Sequence, residues 1–362
     1  MKKKYQTIHD TLKQEIIDGL YGEGEFLPTE IELADRFETS RPTVAKALDM
    51  LRLQKIIDRR AGYGTIVLES ELTCGKKIGL LIPRLGQTEI FEPICTAIEE
   101  EGRKHHWQVM RPTGTGDSRT AAEIADRLCL KFIREKTSGV FFTPVEHVSG
   151  GEELNQSIIA RLKEAGIQVV LLDRDVVDWP DQTESDLVGI DNIQAGYVIA
   201  QHVLEQGCQR IVFATQPNPA MTVQLRIMGC REALLQSGRS SDALVVQEVP
   251  EDETAPCADL ITQHRPDALI CANDATAAVL MRQLLDAGIS IPEQLKVAGF
   301  DDVKYASLLS VPLTTYHQPC EHIGRAAAAA MHLRFEDPAA APHRTTLQGS
   351  LIRRRSTQPV PQ

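Results

Sequence analysis

The 362-residue sequence has no C-x-x-C pair among its eight cysteines and no H-E-x-x-H among its ten histidines. Neither residue type shows the spacing of a zinc-ligand set. No metal centre is expected, and the thiols read as reduced, mostly buried side chains. No apolar run approaches the ~18 residues of a membrane span, so no membrane partner is expected. The opening segment, MKKKYQTIHD, has basic residues but no apolar stretch behind them, which argues against a secretory signal and for a cytoplasmic protein. There is no G-x-x-x-x-G-K-[ST], no G-x-S-x-G and no Rossmann glycine fingerprint after a strand. Without them nothing points to an NTPase, a hydrolase or a dehydrogenase, and no cofactor is implied. Positive charge is also short. With 39 Lys and Arg against 50 Asp and Glu, the formal net charge of −11 argues against a general nucleic-acid coat and leaves room only for a local basic patch.

What is present is a globular composition over a length that suggests two or three domains. The pattern changes near residues 69–77, which places a first domain at 1–70, a linker at 71–76 and a second domain at 77–362. In the first, Tyr5, Ile8, Leu12 and Ile16 repeat at the 3–4 spacing of one helix face, and Gly19 is placed to stop it. Thr29 with Glu32 three residues later fits a capping box for a short helix that buries Ile31, Ala34 and Phe37. After a turn, Ser40 can cap a third helix from Arg41 to about Leu53, with Pro42 tolerated in its first turn and Val44, Leu48 and Leu51 inward. Two short apolar runs follow, around the loop Asp58-Arg59-Arg60-Ala61-Gly62-Tyr63-Gly64. This is the layout of a winged helix.

Residues 36–60 hold seven cations (Arg36, Arg41, Lys46, Arg52, Lys55, Arg59 and Arg60) and three acids, a local positive excess in an acidic chain. A cationic helix beginning Ser40-Arg41-Pro42-Thr43 has what a recognition helix needs. Arg41 can donate two bonds to a guanine edge, Ser40 and Thr43 can reach bases or phosphate, and Gly62 and Gly64 let the wing approach the backbone closely. Residues 5–68 resemble a GntR-type winged helix–turn–helix through Leu27-Pro28-Thr29-Glu30, Leu33-Ala34-Asp35-Arg36-Phe37, Ser40-Arg41-Pro42-Thr43-Val44, Ala47-Leu48 and Gly62-Tyr63-Gly64-Thr65. The resemblance implies double-stranded DNA as partner, Arg41 and Thr43 as helix contacts and Gly62 at the wing tip. The family's frequent arginines are absent at Ile31 and Ala45; either Lys46, Arg59 or Arg60 compensates, or the operator differs.

From Lys77 onward strand-like runs at 78–82, 139–143, 169–172, 187–190, 210–214, 268–271 and 297–300 alternate with helical stretches. Alternating βα units imply parallel sheets, and the number of strands implies two lobes. Such sheets bind ligands at the carboxyl ends of their strands, where Asp173-Arg174, Asn273-Asp274, Asp301-Asp302 and His317-Gln318 follow apolar runs. Acids, amides and arginines gathered there can satisfy a polyhydroxylated ligand. Taken singly, Asp274 and Asp302 also read as a cap or a turn. This half resembles the effector domain of LacI-type repressors and the related periplasmic sugar-binding proteins. The carrying segments include Lys77-Ile78-Gly79-Leu80-Leu81-Ile82-Pro83, Val188-Gly189-Ile190-Asp191-Asn192, Arg226 with Gly229, Cys271-Ala272-Asn273-Asp274, Val297-Ala298-Gly299-Phe300-Asp301-Asp302 and Pro312-Leu313-Thr314-Thr315. By that resemblance Asp173, Arg174, Arg226, Asn273, Asp301 and Gln318 line a cleft, with Phe91 as an apolar wall.

A GntR-type reader on a LacI-type sensor is the pairing of the arabinose-repressor family. The combined expectation is an α/β fold: an N-terminal winged helix–turn–helix, then a two-lobed periplasmic-binding-protein-like domain. Its expected role is a homodimeric, DNA-binding repressor that reads a pseudo-palindromic operator under the control of a sugar. A purine or a sugar acid is the alternative effector, since Arg174 and Arg226 offset Asp173 and Asp301. The linker Glu69-Ser70-Glu71-Leu72-Thr73-Cys74-Gly75 does not read as a hinge helix for the minor groove, and the tail from Arg353 reads as a fraying end. The rival reading, an enzyme using Asp301 and Asp302 as paired carboxylates, lacks a neighbouring nucleophile or base.

Overall fold

The computed structural model describes residues 3–17, 20–22, 24–60, 63–68, 75–83, 85–86, 89–112, 120–249 and 258–358. The chain divides into two compact units, Met1–Ile78 with Glu99–Met110 and Gly79–Ile98 with Arg111–Gln362.

The first unit opens with α1 (Lys4–Ile17), α2 (Glu30–Arg36) and α3 (Arg41–Leu53), followed by a hairpin of β1 (Ile57–Arg60) and β2 (Gly64–Val67). Ile8, Leu12 and Ile16 pack with Leu33, Val44, Leu48 and Leu51 in one core, as their 3–4 spacing requires. Both halves of the Thr29–Glu32 capping box are formed. Ile31, expected inside, is 55% exposed. It lies about 200° around the helix from Leu33, so once Leu33 anchors the core Ile31 must face away. Ser40 occupies the N-cap of α3, but its hydroxyl bonds Thr43 Oγ1 at 2.8 Å instead of a helix amide.

The hairpin pairs from Ile57↔Val67 to Arg60↔Gly64. Asp58, Arg59 and Arg60, expected in the loop, are therefore strand. A further strand-like segment, not expected, covers the other edge of β2. The Leu27 amide donates to the Thr65 carbonyl, the Val67 amide donates to the Glu25 carbonyl, and Phe26 bridges Ile66. Gly64 has φ +123°, and a Cβ there would touch the Phe26 ring at 3.0 Å, so the root of the wing needs glycine.

The rest of the chain runs β3 (Lys77–Leu81), α4 (Phe91–Lys104), β4 (Gln108–Met110), α5 (Ala121–Arg134), β5 (Gly139–Phe142), α6 (Gly151–Glu164), β6 (Gln168–Leu172) and β7 (Asp186–Ile190). It continues through α7 (Asn192–Glu205), β8 (Ile211–Thr215), α8 (Met221–Gln236), β9 (Leu244–Glu248), α9 (Ala258–His264), β10 (Ala268–Cys271), α10 (Asp274–Asp286) and β11 (Lys296–Asp301). Last come β12 (Thr314–His317), α11 (Cys320–Glu336), β13 (Arg344–Leu347) and β14 (Ser350–Ile352). Two six-stranded sheets result, ordered β13-β7-β6-β5-β3-β4 and β14-β12-β11-β10-β8-β9. The central pairs are parallel and fully buried strands form them, as sheets covered on both faces require; β14 joins antiparallel at an edge.

The chain passes between the sheets three times: from β7 into α7, from β12 into α11, which packs on β6 and β7, and from β13 into β14. Three crossovers thus join the two lobes. The described tail, residues 354–358, expected to fray, is anchored instead at Ser356 and Thr357. Ser356 and Thr357 are fully buried. The Ser356 hydroxyl donates to the Val297 carbonyl at 2.6 Å and accepts from the Thr314 amide at 2.7 Å. Thr357 Oγ1 lies 2.7 Å from Thr314 Oγ1 and 2.9 Å from His202 Nε2. The Ser356 hydroxyl satisfies backbone groups that the sheet leaves open, so a polar residue is what the site demands.

Candidate functional site

On α3, Ser40 and Arg41 are exposed and Thr43 is half-buried; Arg41 makes no ion pair among the described residues. Lys46 stands over the Tyr5 ring at 4.4 Å. Two other cations of the patch are occupied within the fold. Arg36 pairs with Glu15 (Nη1 to Oε2, 3.0 Å) and stacks 5.0 Å over Phe37. Arg59 pairs with Asp49 at 2.8 Å and also with Glu30. The side chain of Arg60, Gly62 and the linker reading on residues 69–74 lie outside the described residues. So do Arg84, Gln87 and Thr88 after β3 and two of the eight cysteines, Cys74 and Cys257. The described cysteines are, Cys320 apart, buried.

In the second unit the carboxyl ends of β3, β5 and β6 from one sheet face those of β8, β10 and β11 from the other. Between them lie two adjoining pockets of about 220 Å³ each, the scale of a small metabolite. Both are lined by Phe91, Glu146, His147, Arg174, Gln216 and Asn273, and one adds Asp173, Arg226, Asp301 and Tyr305. Six of the seven sequence-derived effector residues are thus brought together. The seventh, Gln318, stands behind Asp301, to which its Nε2 donates at 2.7 Å.

The cleft is charged and buried. Arg226 donates from Nε to Asn192 Oδ1 (2.9 Å) and from Nη1 to the Ala272 carbonyl (2.6 Å), and its Nη2 lies 3.8 Å from Asp301 Oδ1. Its guanidinium stacks 4.6 Å over Phe300. Arg174 faces Asp173 (Nε to Oδ2, 3.2 Å) and pairs with Glu146 through Nη1. Burial pushes the Asp301 carboxyl up to about 6, against the pull of Arg226 and Gln318. Burial, reinforced by Asp301, pushes Asp274 up to about 8. Burial also raises Asp173. Glu146 also loses solvation, but Arg174 and His147 outweigh that and hold it below its usual range. Asp173 and Asp301 both sit at positive φ (+70° and +111°), backbone strain of the kind that gathers where side chains must be aimed.

The other candidates resolve into structural roles. Asp302 is held by Arg354 (2.7 Å) and His317 (3.0 Å), so it does not act with Asp301 as a carboxylate pair. Asp274 accepts from the Thr315 hydroxyl (2.7 Å) and the Val303 amide (3.1 Å). Asn273 caps α10 by accepting the Thr276 amide at 2.8 Å while also lining the cleft. Glu146, His147, Gln216 and Tyr305 escaped the sequence reading. Thr143-Pro144-Val145-Glu146 directly after β5 was the signal for Glu146, by the same strand-end rule that found Asp173. Among the described residues, hydrogen bonds span the lobes at the cleft mouth, one of them from His147 Nδ1 to the Pro217 carbonyl at 2.9 Å. The Lys304 amide donates to Glu89 Oε2 (3.1 Å), and the His147 amide donates to the Asn218 carbonyl (3.1 Å). Among the described residues no cluster could hold a metal ion, and no helix is long and apolar enough to cross a membrane.

Comparison with known proteins places these features. Residues 4–67 match the family of bacterial regulatory proteins called gntR, and residues 200–357 match the periplasmic binding protein-like domain. An arabinose metabolism transcriptional repressor of Geobacillus stearothermophilus is 27% identical over 343 residues, covering 91% of each chain. Among solved structures, a LacI family transcriptional regulator of Enterococcus faecalis with bound ribose is 25% identical, with TM-score 0.65 over 79% of this chain and all of that one. A periplasmic binding protein/LacI transcriptional regulator of Alkaliphilus metalliredigens, complexed with D-xylulofuranose, shares the fold at 20% identity, with TM-score 0.64 over 78% of this chain and all of that one. The chain is a transcription regulator in which a gntR-type DNA-binding domain precedes a periplasmic-binding-protein-like effector domain.

Proposed function

We propose that the chain is a cytoplasmic, homodimeric repressor that binds a pseudo-palindromic operator and changes its DNA affinity when a neutral sugar closes the two lobes. The proposed boundaries are 1–70 for the DNA-reading domain, 71–76 for the linker and 77–362 for the effector domain. Arg41 reads a base edge, Ser40, Thr43 and Lys46 hold phosphate or base, and Arg60 and Gly62 serve the wing. Asp173, Arg174, Arg226, Asn273 and Asp301 hold the ligand's hydroxyls, Phe91 covers its apolar face, and Gln318 orients Asp301.

One observation carries the effector reading. Acceptors and donors from both lobes converge on one cleft, where the carboxylates of Glu146, Asp173 and Asp301 outnumber the guanidiniums of Arg174 and Arg226. Hydroxyls both donate and accept and so suit this mixture, whereas an anion would meet an excess of negative charge. The relatives solved with ribose and with D-xylulofuranose support the same class. Isothermal calorimetry with pentoses, hexoses, sugar acids and nucleobases tests it. A neutral sugar should bind, and a gel shift on the chain's own operator should then change with that sugar. Binding of only an acid or a base would overturn the sugar assignment.

A further inference from the structure

Arg59 lies where a winged helix would meet a phosphate, yet its guanidinium is turned inward. From β1 it reaches Asp49 on α3 (Nη1 to Oδ1, 2.8 Å) and Glu30 at the start of α2. From the wing, this side chain touches both helices of the helix–turn–helix through ion pairs. The Arg59 and Glu30 side chains are each 25% exposed and Asp49 is 58% exposed. A single exposed pair contributes little, but a planar guanidinium held by two carboxylates from two different helices fixes an angle as well as a distance. Such a fork links the three elements on which DNA reading depends: the recognition helix, the helix that braces it, and the wing.

We propose that Arg59 is a positioning residue, not a DNA contact: with Glu30 and Asp49 it forms a clamp that holds the wing at the angle at which α3 and the wing tip engage one duplex together. The proposal rests on the DNA-reading role given above. It makes a prediction opposite in sign to simple electrostatics. Asp49→Asn and Glu30→Gln each remove a negative charge from the DNA-facing domain and free Arg59. If Arg59 contacted phosphate, both changes would tighten binding. If it is a clamp, both loosen it.

The test uses the full chain and a duplex that the wild type selects from a randomised library, with binding measured against KCl concentration. Asp49→Asn and Arg59→Gln should each weaken the selected duplex roughly fivefold. The double variant should be no worse than either single, because one unit is broken either way. Affinity for a random-sequence duplex should stay unchanged, which separates a lost angle from a lost fold, and the salt slope should stay within error of wild type. Arg59→Lys should not restore binding, since an ammonium cannot fork between two carboxylates. Tighter binding by Asp49→Asn would overturn the clamp, as would a salt slope lowered by about one phosphate contact in Arg59→Gln. A wild type that selects no duplex would overturn both the DNA-reading role and the clamp, whereas a selected duplex with either of those two results overturns the clamp alone.

Discussion

Gly196 on α7 lies directly against Arg226 on α8: a Cβ at Gly196 would overlap the Arg226 carbonyl oxygen and stand 2.8 Å from its Cα. Gly229, one turn further along α8, meets α7 in the same way, its Cβ position 2.7 Å from the Tyr197 amide nitrogen. The two helices touch backbone to backbone, and that close approach sets the depth at which Arg226 enters the cleft. Gly196→Ala should therefore destabilise the protein by about 1–3 kcal/mol through overpacking against backbone that cannot yield. It should weaken ligand binding as well. Thermal unfolding and calorimetry on one preparation check both, and an unchanged midpoint would show that the helices can part freely.

Arg41→Ala should remove roughly 1–3 kcal/mol of sequence-specific DNA affinity and leave ligand affinity intact. Asp301→Ala should abolish ligand binding and leave unliganded DNA affinity intact. Gel shift and calorimetry on each variant decide the matter. Equal loss of both activities in a folded variant would contradict the division of labour between the two regions.

Asp301 and Asp274 are both raised, to about 6 and about 8, from a usual value near 3.8. The folded state then holds protons that the unfolded state has released, so stability falls as pH rises. Their contribution is complete below about pH 4 and is lost between there and about pH 8. Glu146, lowered, acts in the opposite sense and only below its usual value of 4.5. The thermal midpoint should fall from pH 5 to pH 8.5, and Asp301→Asn should flatten the lower part of that fall. A midpoint that rises across this window would refute the assignment.

Ser356→Ala should cost about 1–3 kcal/mol, because the Thr314 amide and the Val297 carbonyl lose a buried partner. Urea unfolding measures it, and an effect below a few tenths of a kcal/mol would return the tail to the fraying end its composition suggests.

Much of the architecture was legible because it follows from periodicity. The strand runs and the helices at 41–53, 192–205 and 274–286 bury what their spacing says they should, and Asp173, Arg174, Asn273 and Asp301, picked by the strand-end rule, line one cleft. The pairing of Arg59 was not legible because charge density does not show which acids fold back on a cation; Asp49 and Glu30 lie 10 and 29 residues away. Glu146 was missed because it stands four positions past the end of β5, whereas Asp173 directly follows β6. Gln318 was placed on the wall when it stands one hydrogen bond behind it, a distinction of depth that no pattern carries.

By itself, the order of residues determined the elements, the change of pattern near residue 70 and the chemical character of the strand ends, since these depend on neighbours within a few positions. Tertiary structure alone decided which cations stay free for a partner, how the polar tail 353–358 becomes core, and how three crossovers bring two sets of strand ends to one cleft. Those outcomes turn on contacts between residues tens to hundreds of positions apart, where desolvation and pairing are settled by what happens to lie opposite.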